Sequence, residues 1–323
     1  MKGFNKKYKD FPDYILGITN EIWEQRGIEK LYNYYSEDIP VRSPDALVIG
    51  NQKVIDATRA TLAEFPDREL LGEDVIWSGS PDEGMLSSHR ILSTATHNGN
   101  GVFGGATGKR LVYRVIADCH AINNQINDEW LVRDQGSIVK QLGWSPKQYT
   151  EELIKKEREL NSHIIPFSDK IDIEGPYKGK GNNNHWGIKY ENILNDIMNL
   201  KQSSIESNYD RAVHTEYAGG TTGHSFNSVK KFWGDLRTSF PNSTFKIHHR
   251  IGREDPLLSP RAAIRWSLSG KHSGLGIFGD PSNVEVYILG ISHVEFGPWG
   301  IRKEYSLYDE VAIWKQILMK FTN

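Results

Sequence analysis

Behind Asp10-Phe11-Pro12, apolar side chains fall at Tyr14, Ile15, Ile18, Ile22 and Trp23, and Gly27 follows. That spacing predicts a helix: the aspartate can cap it, the proline suits its first turn, and the glycine stops it. Leu31, Tyr32 and Tyr35 share one face of a second segment, residues 28–35. Residues 40–43 read as a short strand. A third helix is expected over residues 51–65, where Val54, Ile55, Thr58, Leu62 and Phe65 recur at helical intervals. The period then drops to two. Residues 70–77, 85–96, 110–122 and 126–134 read as strands joined by Gly, Asn and Asp turns, and 135–142 as a short closing helix. Helices first and consecutive long strands afterwards mean an α+β fold rather than alternating α/β.

The order then repeats. Helices are expected over residues 190–200, 206–215 and 225–240, strands over 245–252, 261–272, 284–295 and 301–308, and a last helix over 310–321. A shift of 175 lays His97-Asn98-Gly99-Asn100-Gly101-Val102-Phe103-Gly104 on His272-Ser273-Gly274-Leu275-Gly276-Ile277-Phe278-Gly279. The same shift carries Phe65-Pro66 onto Phe240-Pro241, Arg90 onto Arg265, Ile116 onto Ile291 and Ile126 onto Ile301. It also carries Glu129 onto Glu304, Asp134 onto Asp309, and Gln141 onto Gln316. A period this long means two whole domains, residues 1–145 and 188–323. Between them, residues 145–160 should be helical, and the Gly-, Asn- and Lys-rich stretch 177–184 has the composition of a flexible linker. Function should sit at the positions that only one copy kept.

Composition narrows the partners. A chain of 323 residues with 38% hydrophobic and 25% charged residues can bury a core in each half. A net charge of −2 gives no electrostatic footprint for nucleic acid or an anionic membrane. The single cysteine, Cys119, excludes an internal disulfide and a multi-cysteine zinc site. With no apolar leader and no apolar stretch of membrane-spanning length, a cytoplasmic location is expected.

Two motifs mislead. Gly99-x-Gly101-x-x-Gly104 and its copy satisfy the dinucleotide fingerprint, yet Arg110 to Val115 reads as a strand where a helix N-terminus is required. The glycines suit a hairpin with positive-φ positions. His248 and His249 are adjacent on a strand, so their side chains diverge and cannot share a metal.

Three blocks in order carry a resemblance: His97-x-Gly99-x-x-x-x-Gly104-x-x-Thr107-Gly108-Lys109, Glu129-Trp130-x-x-x-Asp134, and Gln141-Leu142-Gly143. Over residues 10–143 the chain resembles the SnoaL-like polyketide cyclases of the nuclear-transport-factor-2-like superfamily; the second half looks like a degenerate copy. The resemblance implies two tandem cone-shaped α+β barrels, each a curved antiparallel sheet wrapped around helices with a pocket inside. It implies acid–base chemistry without metal or cofactor, classically ring closure by aldol condensation. Because such proteins dimerise through their sheets, it also implies an intrachain pseudo-dimer, with a homodimer as a further arrangement.

In that cyclase the pair is a His and an Asp fourteen residues apart on neighbouring strands. The residue fourteen before Asp134 is His120, whereas Asp309 in the second copy has Glu295 there. The expected catalytic groups are therefore Asp134 as base and His120 as acid or electrophile. Strand alternation puts Asp134 and Trp130 on one face, and Arg114, Asp118 and His120 on one face of the neighbouring strand. If Trp130 points into the cone, these residues line the pocket with it. His89, Arg42 and Tyr32 are further candidates for the substrate-binding wall. Asp134 equally suits the N-cap of the helix that follows it. The sequence thus points to a cyclase, isomerase or lyase of a small molecule. The alternatives are a non-catalytic ligand-binding module, or an active second domain using His293, Glu295, Trp299, Tyr305 and Asp309.

Overall fold

The computed structural model describes residues 1–319. The first domain runs α1 (Phe11–Thr19) with a π turn (Asn20–Glu24), a 3₁₀ turn (Ile28–Lys30), α2 (Leu31–Tyr34), β1 (Pro40–Ser43), β2 (Ala46–Ile49), α3 (Asn51–Glu64), β3 (Glu69–Ser80), β4 (Gly84–Thr96), β5 (Arg110–Ile122), β6 (Gln125–Arg133) and α4 (Gln135–Leu142). After α5 (Pro146–Glu159), the second domain comprises α6 (His185–Met198), α7 (Ser203–Asn208), β7 (Tyr209–Tyr217), β8 (Thr221–His224), α8 (Ser225–Ser239), β9 (Thr244–Arg253), β10 (Arg261–Lys271), β11 (Glu285–Gly297), β12 (Gly300–Leu307) and α9 (Glu310–Met319). The expected continuation of the last helix to Phe321 lies outside the described residues.

Asp10 caps α1 by accepting from the Asp13 N–H, as the sequence suggested. Asn123 and Asn124 both adopt positive φ and make the tight β5–β6 turn. One element differs in kind. Residues 206–215 were expected to be helical, but the chain leaves α7 at Asn208 and becomes β7. Val213, Thr215 and Tyr217 alternate inward, and pairing with β12 overrides the local pattern.

The two domains share one topology. The sheet orders are β2-β1-β6-β5-β4-β3 and β8-β7-β12-β11-β10-β9. Within each, β1 is parallel to β6 and β7 to β12, so the sheets are mixed rather than purely antiparallel. They curve around their helices but do not close, which corrects the expectation of barrels.

Each sheet has two buried faces. In the first domain, Val75, Met85, Ala117, Cys119 and Ala121 pack under Phe11, Tyr14, Ile15, Ile18 and Tyr35. Odd-numbered positions of β4, β5 and β6 thus face the helices and the cone interior. Even-numbered positions face the other domain. There Ile116 and Val132 meet Leu289, Ile291 and Leu307 across the sheet-to-sheet contact, with Phe167 of the connecting segment among them.

The connecting segment is docked, contrary to its composition. Phe167 N–H donates to Pro44 O at 3.1 Å, and Asn182 N–H donates to Arg250 O at 3.0 Å. Tyr177 donates its N–H to Asp128 at 3.0 Å and shares a hydrogen bond with His249 Nε2 at 2.7 Å. Glycines and asparagines make the segment supple in isolation, but these bonds tie it to both domains.

Candidate functional site

The residues singled out from sequence separate into two places. His120 sits opposite Asp128, while the Asp134 N–H bonds Arg114 O. Six strand positions divide them, roughly 20 Å at ~3.3 Å per residue. The expected His120–Asp134 pair therefore does not form.

Both groups also lie on the outer face, not in the cone. His120 Nδ1 is 2.6 Å from Asn127 Oδ1, and its ring lies 4.6 Å from that of Tyr177. Burial pushes its pKa down. The Asp134 carboxylate accepts from the N–H groups of Ser137 (2.9 Å), Gly219 (2.8 Å) and Gly220 (2.9 Å). It caps α4 and clasps the β7–β8 turn of the other domain. Burial lifts its pKa to about 6, against the pull of those three donors.

The expected pocket wall disperses in the same way. Asp118 is paired with Arg265 at 3.1 Å. Trp130 meets the guanidinium groups of Arg265 (3.5 Å from the ring centre) and Arg42 (4.5 Å). Arg42 bonds Asp128, Asp172 and Ile173 O. Arg114 bridges Glu73 and Glu216 at 2.9 Å each. Tyr32 is 45% exposed and bonds Gln52 at the surface. Its expected place in the wall is not observed. The alternative set in the second domain is likewise on the outer face or in solvent: His293 bonds Ser88 at 2.7 Å, Tyr305 lies under Arg90, and Trp299 is 78% exposed. Only His89, of the eight expected site residues, points inward.

The cone interior holds a different set. Glu129 on β6, with Cys119 and Ser87 beside it on β5 and β4, faces Tyr14 and Tyr35 from the helical layer. Burial lifts the Glu129 pKa to about 7, offset only by the Tyr35 hydroxyl. Further along the same face, Arg68, Ser93, Tyr113 and Arg133 converge. Arg68 Nε donates to Ser93 Oγ at 3.4 Å, and both arginines hold the Tyr113 phenol below its ordinary pKa despite burial. Tyr14 Oη, Arg133 Nε and His89 Nε2 are buried without a hydrogen-bond partner. His89 Nε2 points at the Gly72 backbone, where a β-carbon would come within 3.0 Å, and burial lowers its pKa to about 4. Trp23 and Leu131 join two separate apolar clusters, and Trp23, Leu131 and Arg133 are only half-buried. These three mark where the first cone meets its surface, while Glu129, Tyr14, Ser93 and Tyr113 are buried.

The second cone is filled. Its single apolar cluster includes Trp233, Trp266, Phe240 and Phe296. Glu304, at the place of Glu129, accepts from Tyr190 (2.9 Å), Tyr217 (2.7 Å), Trp233 (3.2 Å) and Ser306 (3.1 Å). Where the first copy has Arg68, His89, Ser93, Tyr113 and Arg133, the second has Ser243, Ile264, Leu268, Ile288 and Tyr308. That difference between the copies is the sequence signal that could have located the site.

Residues 14–142 match the family model of the SnoaL-like polyketide cyclases. The first domain is therefore similar to that family, over 129 of the 323 residues. Among solved structures, this chain is similar to wild-type IdmH, a putative polyketide cyclase from Streptomyces antibioticus, at 18% identity over 41% of this chain and 98% of that one, with a TM-score of 0.36. AclR, a putative hydroxylase from Streptomyces galilaeus, matches at 21% identity over 40% and 92%, with a TM-score of 0.36. A putative SnoaL-like polyketide cyclase from Shewanella denitrificans matches at 15% identity over 42% and 99%, with a TM-score of 0.35. No curated protein matches. After the hairpin glycines of the first domain comes the strand β5, not a helix. Val102 and Phe103 N–H donate to Glu64, which also meets His97 Nε2 at 3.2 Å, so the motif fixes the hairpin to the end of α3.

Proposed function

We propose that the first cone is an acid–base site for a small carbonyl compound, of cyclase, isomerase or lyase type, with Glu129 rather than Asp134 as the proton acceptor. One contrast carries this reading. Glu304 is caged by four donors and committed to the fold, whereas the buried Glu129 faces one phenol. A carboxylate with a pKa near 7 is matched to proton abstraction at neutral pH.

In this mechanism Glu129 takes a proton from the carbon beside a carbonyl, and the C–H electron pair moves to the carbonyl oxygen as an enolate. The unpartnered Tyr14 hydroxyl donates a hydrogen bond to that oxygen. For ring closure the enolate carbon attacks a second carbonyl, and the proton held on Glu129 returns to the new alkoxide. Such assistance contributes about 10²–10⁴-fold.

The test is hydrogen–deuterium exchange at the acidic carbon of a β-keto ester that also carries a remote free carboxylate, followed by NMR in D₂O. The chain should accelerate exchange, Glu129→Gln should abolish it, and Asp134→Asn should leave it intact. Exchange that survives Glu129→Gln removes the mechanism. A ligand-binding module is the second reading, favoured by the structural use of Glu304 at the same place; ligand binding with no exchange in the unmodified chain would establish it.

A further inference from the structure

The interior of the first cone contains two arginines that no carboxylate among the described residues balances. Arg68 lies between α3 and β3, and Arg133 ends β6; both reach the Tyr113 phenol on β5. Neither makes an ion pair with a carboxylate among the described residues. Most other buried arginines of this protein do, among them Arg42 with Asp128, Arg90 with Glu73, Arg261 with Asp74 and Arg265 with Asp118. Arg133 Nε is buried with no acceptor at all, and Arg68 Nε has only the long 3.4 Å contact to Ser93. Burying like charges together is costly unless an anion accompanies them. The second domain, whose cone is filled, keeps neither arginine.

We propose that Arg68 and Arg133 form the carboxylate-binding subsite of the first cone, so that its substrate is an aryl or acyl carboxylate. The two planar guanidinium groups supply forked donors suited to a carboxylate. Trp23, Leu131 and Ile91 supply an apolar wall for the attached body. The inference rests on the acid–base reading of the same cone: Glu129 lies on the same inner face of β6 as Arg133, four positions away. An anchored carboxylate would leave the rest of the molecule running toward it.

Titration calorimetry of the full chain with 2-naphthoate, methyl 2-naphthoate and inorganic phosphate tests this. The acid should bind and the ester should not. Arg133→Met and Arg68→Met should each weaken the acid at least about tenfold, the size of one charge-assisted hydrogen bond. Because Arg133 balances no carboxylate, Arg133→Met should also hold or raise the melting temperature; a structural arginine would lower it. Failure of 2-naphthoate to bind, equal binding of the ester, phosphate binding tighter than the acid, or unchanged affinity in Arg133→Met would each overturn the assignment. Glu129→Gln keeps the two proposals apart. It should abolish exchange while leaving 2-naphthoate affinity within about twofold, so loss of one result does not entail loss of the other.

Discussion

The Arg265 guanidinium lies 3.5 Å from the centre of the Trp130 ring, across the contact between the domains. The 175-residue shift maps this pair onto Arg90 and Tyr305, which meet at 3.7 Å. Each domain thus lays an arginine on an aromatic ring of the other. Several positions that both copies kept, including Arg90, Ile116 and Asp134 with their counterparts, belong to this contact rather than to chemistry.

Arg265 also neutralises Asp118, so its removal leaves a buried carboxylate alone. Arg265→Met should cost roughly 3–5 kcal/mol. Adding Asp118→Asn should restore a substantial part of that loss. Urea denaturation of the single and double variants measures both, and additive losses would refute the pairing.

Asp134 offers its carboxylate to three backbone donors, two of them in the other domain. Asp134→Ala should destabilise by about 2–3 kcal/mol, combining a lost cap with two lost hydrogen bonds. The exchange activity of the folded fraction should be unchanged. Loss of activity without loss of stability would return Asp134 to the reacting centre.

Glu129 has a folded-state pKa raised from 4.5 to about 7, so the folded chain binds the proton more tightly than the unfolded chain. The associated stability is fully present below 4.5 and is lost as pH rises through about 7. The loss is on the order of 3 kcal/mol. Melting temperature followed across that range should fall in the unmodified chain and fall less in Glu129→Gln. Proton-exchange activity should move oppositely, rising as the carboxylate ionises.

The filled second cone suggests a graft. Placing its residues in the first, as Ser93→Leu with Arg133→Tyr, copies Leu268 and Tyr308. The double variant should gain stability by replacing a half-buried, unpaired guanidinium and a buried hydroxyl with apolar bulk. It should also lose 2-naphthoate binding. A thermal melt and a titration on one sample report both effects.

Much of the fold was legible because periodicity is a local property. The capped first helix, the 110–122 strand, the 135–142 helix and the register of the repeat all follow from spacing and turn chemistry. Alternation also fixed which residues share a face: Trp130 with Asp134, and Arg114 with Asp118 and His120. It could not fix which face looks into the cone, because the helices bury one and the other domain buries the other. A strand with two buried sides carries parity without sign. The sequence by itself therefore determined most of the elements, though not the strand over residues 209–217, together with the duplication and the partition of side chains into two sets. The packing of the two sheets back to back decided that the set with His120 and Asp134 joins the domains, and that the set with Glu129 and Arg133 faces the helices, where Arg68 meets it.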